Sequence, residues 1–203
     1  MREILSIVIG YLLGSVMTAY LIGLLIFKKN PAEYGSGNPG SANVGAVFGK
    51  KFGILTCIGD FIKTAIALLV TWLFFRNHVL LAYTGFGLVL GHCFPLYFGF
   101  KGGKGVATCG LFLLIYDWQV AVPVLLVALA LMCVLQDLTI PPIFFMIIFT
   151  VIEYTKNLEA GCMLGLMTLI MIYKFRNDIL NWIIGQNKRV DVLKTIKSKL
   201  IRK

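Results

Sequence analysis

The stretch ILSIVIGYLLGSVMTAYLIGLLIF, residues 4–27, decides the fold class. It carries no charged residue, and as a helix rising about 1.5 Å per residue it extends about 36 Å. A bilayer's hydrocarbon core is about 30 Å thick, so this run suffices to cross it, and it is too long for the apolar region of a signal peptide. It reads as a retained first span. Outward from it, apolar runs recur at 53–75, 79–98, 106–136, 138–153 and 159–175. The run at 106–136 is long enough for two short crossings, and Asp117 followed by Trp118, an interfacial residue type, divides it. The expected fold is an all-α polytopic membrane protein of about seven transmembrane helices, with residues 1–175 as the transmembrane domain and 176–203 as a basic tail.

Composition agrees. Hydrophobic residues make up 59% of the 203 residues and charged ones 14%, with mean hydropathy +0.87; soluble domains average about 45–50% and about 25%. The apolar excess needs lipid to face. A net charge of +10 suits nucleic acid until the charges are located. Fifteen of the nineteen Lys and Arg fall in 28–52, 99–105 and from 174 onward, while Arg2, Arg76 and Lys156 lie in the alternate connections. That asymmetry is the positive-inside pattern, so no nucleic-acid partner is expected. It places the N-terminus outside, the C-terminus in the cytoplasm and both glycine-rich loops on the cytoplasmic face. From Val190, apolar residues at Leu193, Ile196 and Leu200 mark one face of a possible interfacial helix among lysines, though a frayed solvated end fits equally. The five cysteines form no CxxC pair and read as small buried hydrophobes ahead of disulfides or a metal site.

Three features carry chemistry. In GSGNPGSAN, residues 35–43, glycines permit backbone N–H groups to converge on an anion, and Ser36, Asn38 and Asn43 add hydrogen bonds; an ordinary turn-rich loop also fits. In GHCFPLYFGFKGGKGVAT, residues 91–108, Lys101 and Lys104 bracket Gly102 and Gly103, and Gly105 precedes the next span. Flexible backbone, two ammonium groups and a helix N-terminus favour a phosphate, although the Walker spacing is absent. Asp60 and Lys63, three residues apart inside the second span, suit a structural ion pair facing the bundle interior. His92 precedes Pro95 and reads as a hydrogen-bonded structural histidine ahead of a general base.

These residues resemble the bacterial acyl-phosphate:glycerol-3-phosphate acyltransferase family, from the first span to the last. The resemblance implies a plasma-membrane enzyme of phospholipid synthesis that moves an acyl group from acyl phosphate to glycerol 3-phosphate, giving lysophosphatidate, without cofactor or metal. It implies catalytic roles for Ser36 and Lys104, and substrate contacts from Gly37, Asn38, Gly40, Asn43, His92, Lys101, Gly102, Gly103, Gly105 and Thr108. Membrane lipids are the implied surroundings. Departures fall at Ala42 and Ala46, where the family has threonine and arginine. After the last span, Phe175, Asp178 and Asn187 stand in place of histidine, asparagine and glutamate, while Arg176, Ile179 and Gly185 hold. The altered groups read as belonging to the acceptor side and the glycine–lysine loop as intact. A different small acceptor, or a catalytically silent acyl-phosphate-binding protein, therefore stands beside the leading reading.

Overall fold

A computed structural model describes residues 1–186; the expected surface helix after Val190 and the altered position Asn187 lie outside the described residues. Within them the chain is helical: α1 (Arg2–Gly14), α2 (Thr18–Leu21) continuing into a π turn (Ile22–Ile26), α3 (Ser41–Phe48), α4 (Lys50–Phe75), α5 (His78–Cys93), α6 (Val106–Tyr116), α7 (Trp118–Leu135), α8 (Ile140–Lys156) and α9 (Leu158–Ile183). Five segments are long and apolar enough to cross a membrane, namely Arg2–Ile26, Lys50–Phe75, His78–Phe98, Trp118–Leu135 and Leu158–Ile183. Two further helices, α6 with 11 residues and α8 with 17, are shorter. The all-helical membrane architecture is present, and the number of crossings depends on these two.

Short turns at one end of the bundle share one device. Asn77, Asp117 and Asn157 each cap the helix that follows, accepting a backbone N–H from Val79, Val120 and Ala160 at 2.9, 3.2 and 2.9 Å. An Asx side chain satisfies donors that a helix start leaves unpaired. Asp117 thus separates α6 from α7. Two contacts tie these turns together: His78 Nε2 lies 2.9 Å from the Tyr116 carbonyl oxygen, and Lys156 Nζ donates to Asp117 Oδ2 at 2.6 Å. The ends of α4, α6 and α8 and the starts of α5, α7 and α9 therefore share one level.

Helices α1 and α5 meet backbone to backbone. Gly10 and Gly14 on α1 face Thr84 and Leu88, while Gly87 and Gly91 on α5 face Ile7 and Tyr11; a methyl group at any of the four would collide with the opposing main chain. Small residues four apart let two helices approach closely where lipid supplies no hydrophobic drive. The remaining core is aliphatic and aromatic, centred on Phe112, Leu113, Met146, Phe149, Leu164 and Met167, all buried.

The structure departs from sequence expectation at two places. Residues 41–48, expected as loop, form α3, which docks by Val44 against Ala19 and Ile22. The last helix continues to Ile183 instead of ending at 175, so Arg176 and Asp178 sit on a rigid helix inside the segment expected as tail. The polar run Lys174-Phe175-Arg176-Asn177-Asp178 masks this continuation in a hydropathy reading.

Candidate active site

The end opposite the Asx turns holds both glycine-rich loops. In the first, Asn43 is the organiser. Its Nδ2 donates to the carbonyls of Pro31 and Tyr34, each at 3.0 Å, and its Oδ1 accepts the Ser36 N–H at 2.8 Å. Gly35 and Gly37 adopt φ +62° and +72°, and a Cβ on Gly35 would collide with the Asn43 side chain. Asn43 is thus buried beneath the loop, whereas Ser36 is exposed at its crest and its hydroxyl oxygen receives the Asn38 N–H at 3.4 Å. Gly40 is the N-terminal boundary of α3. Ala46, on the next turn of α3, is exposed and carries no polar group.

The second loop, residues 94–105, is fastened at several points. Tyr11 and Tyr20 donate their hydroxyls to the carbonyls of Phe94 and Lys101, at 3.1 and 2.7 Å, and the Tyr20 ring stacks on Phe98. Lys174, from α9, donates to the carbonyls of Cys93 and Gly102, both at 3.0 Å. The Gly103 N–H reaches the His92 carbonyl at 3.1 Å, and side chains at Gly102 or Gly103 would strike His92. Gly105, at φ +82°, turns the chain into α6. Lys104 projects toward α9, its Nζ 2.6 Å from Asp178 Oδ2 and 4.8 Å from the Phe175 ring centroid. The Lys101 side chain is exposed.

Beneath this loop lies a buried polar cluster. α1 breaks between Gly14 and Thr18, which leaves the carbonyls of Gly14 and Val16 without helical partners. Lys63 Nζ donates to both at 3.0 Å and also lies 2.9 Å from His92 Nδ1. Asp60 Oδ1 is 3.0 Å from the same nitrogen; the contact is an ion pair by proximity, its angle not being that of a hydrogen bond. An ammonium has no lone pair, so His92 accepts through Nδ1 and its proton sits on Nε2, on the side of Gly103. Thr108 Oγ1 is 3.4 Å from the same His92 Nδ1. A charge this deep is tolerable only when surrounded by such partners.

The candidate residues therefore separate into two layers. Ser36, Gly37, Asn38, Lys101 and Lys104 form the accessible layer, and Gly102, Gly103 and Gly105 are buried just behind it. Asn43, His92, Thr108, Asp60 and Lys63 lie below and hold the loops in shape. His92 and Thr108, expected as substrate contacts, are both buried beneath the loop. No hydrogen bond or ion pair among the described residues joins Ser36 to Lys104; α2 lies between the two segments, with Ala19 against Val44 and Tyr20 against Phe98 and Lys101. Sequence reasoning did not mark Lys174, Tyr20 or the role of Asp178. The spacing Lys174, Phe175, Asp178 on one helix was the available signal. Phe175 and Asp178, two of the altered positions, both lie against Lys104 of the glycine–lysine loop. Among the described residues, no three His, Cys, Asp or Glu gather to hold a metal ion.

Comparison with known proteins matches this arrangement. Residues 4–185 fit the sequence profile of the glycerol-3-phosphate acyltransferase family. The chain is 52% identical over 200 residues to glycerol-3-phosphate acyltransferase 1 of Lactobacillus acidophilus, covering 98% of each chain. It is 48% identical over 202 residues to the enzyme of the same name in Lactobacillus johnsonii, again covering 98% of each. Among solved structures it is similar to the glycerol 3-phosphate form of PlsY, described as an integral membrane glycerol 3-phosphate acyltransferase, with a TM-score of 0.84 at 30% identity over 97% of this chain and 99% of that one. The lysophosphatidic acid form of PlsY gives a TM-score of 0.79 over 93% and 95%.

Proposed function

The chain belongs to the glycerol-3-phosphate acyltransferase family, and from that premise we propose that it moves an acyl group from acyl phosphate to the 1-hydroxyl of glycerol 3-phosphate. The hydroxyl oxygen bonds to the acyl carbon, the bond from that carbon to the phosphate oxygen breaks, the hydroxyl proton ends on the released phosphate, and lysophosphatidate and inorganic phosphate leave. The observation that carries this reading is the second loop: a backbone of four glycines from Gly99 to Gly105, bracketed by Lys101 and Lys104 and clamped from below by Lys174. Backbone N–H groups and fixed cations aimed at one place stabilise charge that develops on phosphate oxygens. Ser36 and Asn38, on the exposed first loop, are the polar groups available to the acceptor. The relatives' names favour glycerol 3-phosphate over the other acceptors that the altered positions left open.

Purified protein given acyl phosphate and glycerol 3-phosphate is expected to release phosphate and form lysophosphatidate in equal amounts. Phosphate release without lysophosphatidate would point to another acceptor. Neither product, with acyl phosphate still bound, would make the protein a silent binder.

The reading extends to topology. Counting the shorter α6 and α8 as crossings gives seven spans (Arg2–Ile26 as one, then α4 to α9), and the lysine-rich end carries both loops. An N-terminus outside and a cytoplasmic site follow from that bias. Cysteines introduced at Ser36 and Lys101 should react with a membrane-impermeant reagent only after the cells are opened. Labelling of either in intact cells would reverse the orientation.

A further inference from the structure

The two side chains that close on Lys104 come from a single turn of α9. Asp178 Oδ2 lies 2.6 Å from the ammonium and the Phe175 ring centroid 4.8 Å. Residues three apart on a helix share a face, so α9 offers a ring and a carboxylate together. In the acyltransferase reading Lys104 binds a substrate phosphate, yet in the free protein it already holds an anion. Both partners remain reachable by a solute, with 25% of the Lys104 side chain and 36% of the Asp178 side chain exposed. Neither neighbouring cation bonds Asp178: Lys174 is engaged with the carbonyls of Cys93 and Gly102, and Arg176 with its own helix at the Tyr173 carbonyl and ring.

A carboxylate and a phosphate make the same kind of charge-assisted hydrogen bond to an ammonium. Resting on the function proposed above, we propose that Asp178 sets the affinity of the site for phosphate. It is the built-in counter-anion of Lys104, displaced when a substrate phosphate arrives and returning as inorganic phosphate departs. The exchange keeps the lysine oriented between turnovers. It weakens binding of any phosphate-bearing ligand and speeds its release.

The test uses the full chain in detergent, with inorganic phosphate as the probe. Asp178→Asn keeps the shape and removes the charge; the dissociation constant for phosphate should fall about three- to tenfold, the range expected when a partly exposed charge is removed beside the bound ion. The KM for glycerol 3-phosphate or acyl phosphate should fall with it, and kcat should fall as release slows. Asp178→Glu should restore values near those of the unmodified protein. Asp178→Ser serves as a second neutral variant, and a melting curve accompanies each. Phosphate binding that is unchanged or weaker in both neutral variants overturns the proposal and leaves Asp178 a brace between loop and helix. Phosphate binding is read without turnover. Failure of the acyltransferase reading would therefore show separately, as absent lysophosphatidate in the unmodified protein.

Discussion

Lys104→Ala is expected to lower the rate of acyl transfer about 10²–10³-fold, the usual loss when a fixed charge-stabilising group is removed from an active site. The structure adds a reason for the upper end of that range. Without the ammonium, Asp178 stays at the loop and repels an incoming phosphate. The double variant Lys104→Ala/Asp178→Asn should therefore be less impaired than Lys104→Ala alone, a non-additivity that two contacting residues show and independent ones do not. Lys104→Arg should rescue poorly, because a planar guanidinium does not fit the place of a compact ammonium between ring and carboxylate. Steady-state kinetics on these proteins and on Asp178→Asn decide the matter. Full activity in Lys104→Ala would reduce the loop to a topological anchor.

The second large effect is on stability. Lys63→Met strands the Asp60 carboxylate and leaves the carbonyls of Gly14 and Val16 without their donor. Breaking a buried pair by removing one partner costs about 3–5 kcal/mol, whereas replacing both partners costs far less. Asp60→Asn/Lys63→Met should accordingly recover the part of the loss that comes from the stranded charge. The part due to the two carbonyls should remain. Unfolding in mixed detergent micelles measures both. A Lys63→Met protein as stable as the unmodified one would show that the α1 break needs no cation to satisfy it.

Most helices were legible in the sequence because they carry their own apolar runs, and Asp117 was legible as a divider because a charge beside an interfacial tryptophan interrupts the run at 106–136. α3 was not, since eight mostly small residues give neither length nor a distinct apolar stripe. The site divides in the same way. Glycines and lysines clustered within 99–105 announce an anion loop by composition alone. What closes on that loop comes from 70 or more residues away: Lys174 at Gly102 and Asp178 at Lys104. Hydropathy and spacing do not encode such pairings, and a substituted position looked like a lost acceptor group until its neighbour was visible. The close approach of α1 and α5 is an intermediate case. Both GxxxG spacings stood in the sequence, but that they face each other is a property of the packing.

The brevity of α6 bears on how a lipid-borne donor meets the enzyme. Tyr116 is level with the turn at His78, so an 11-residue helix, about 16 Å long, leaves Gly105 well short of the far end of the bundle. Lys174, which clamps the loop, is followed by nine more residues of α9, about 14 Å of helix. The glycine loop therefore lies below the end of α9, and in the proposed topology that recess would face the level where phosphate head groups meet hydrocarbon. An amphiphile whose chain lies in the leaflet already carries its phosphate at that depth. It can diffuse sideways to Lys104 without drawing its tail into water, a step that would cost about 0.8 kcal/mol for each methylene. In the proposed topology the water-soluble acceptor would come down from the cytoplasm, so the proposed donor and acceptor would approach one recessed loop from perpendicular directions.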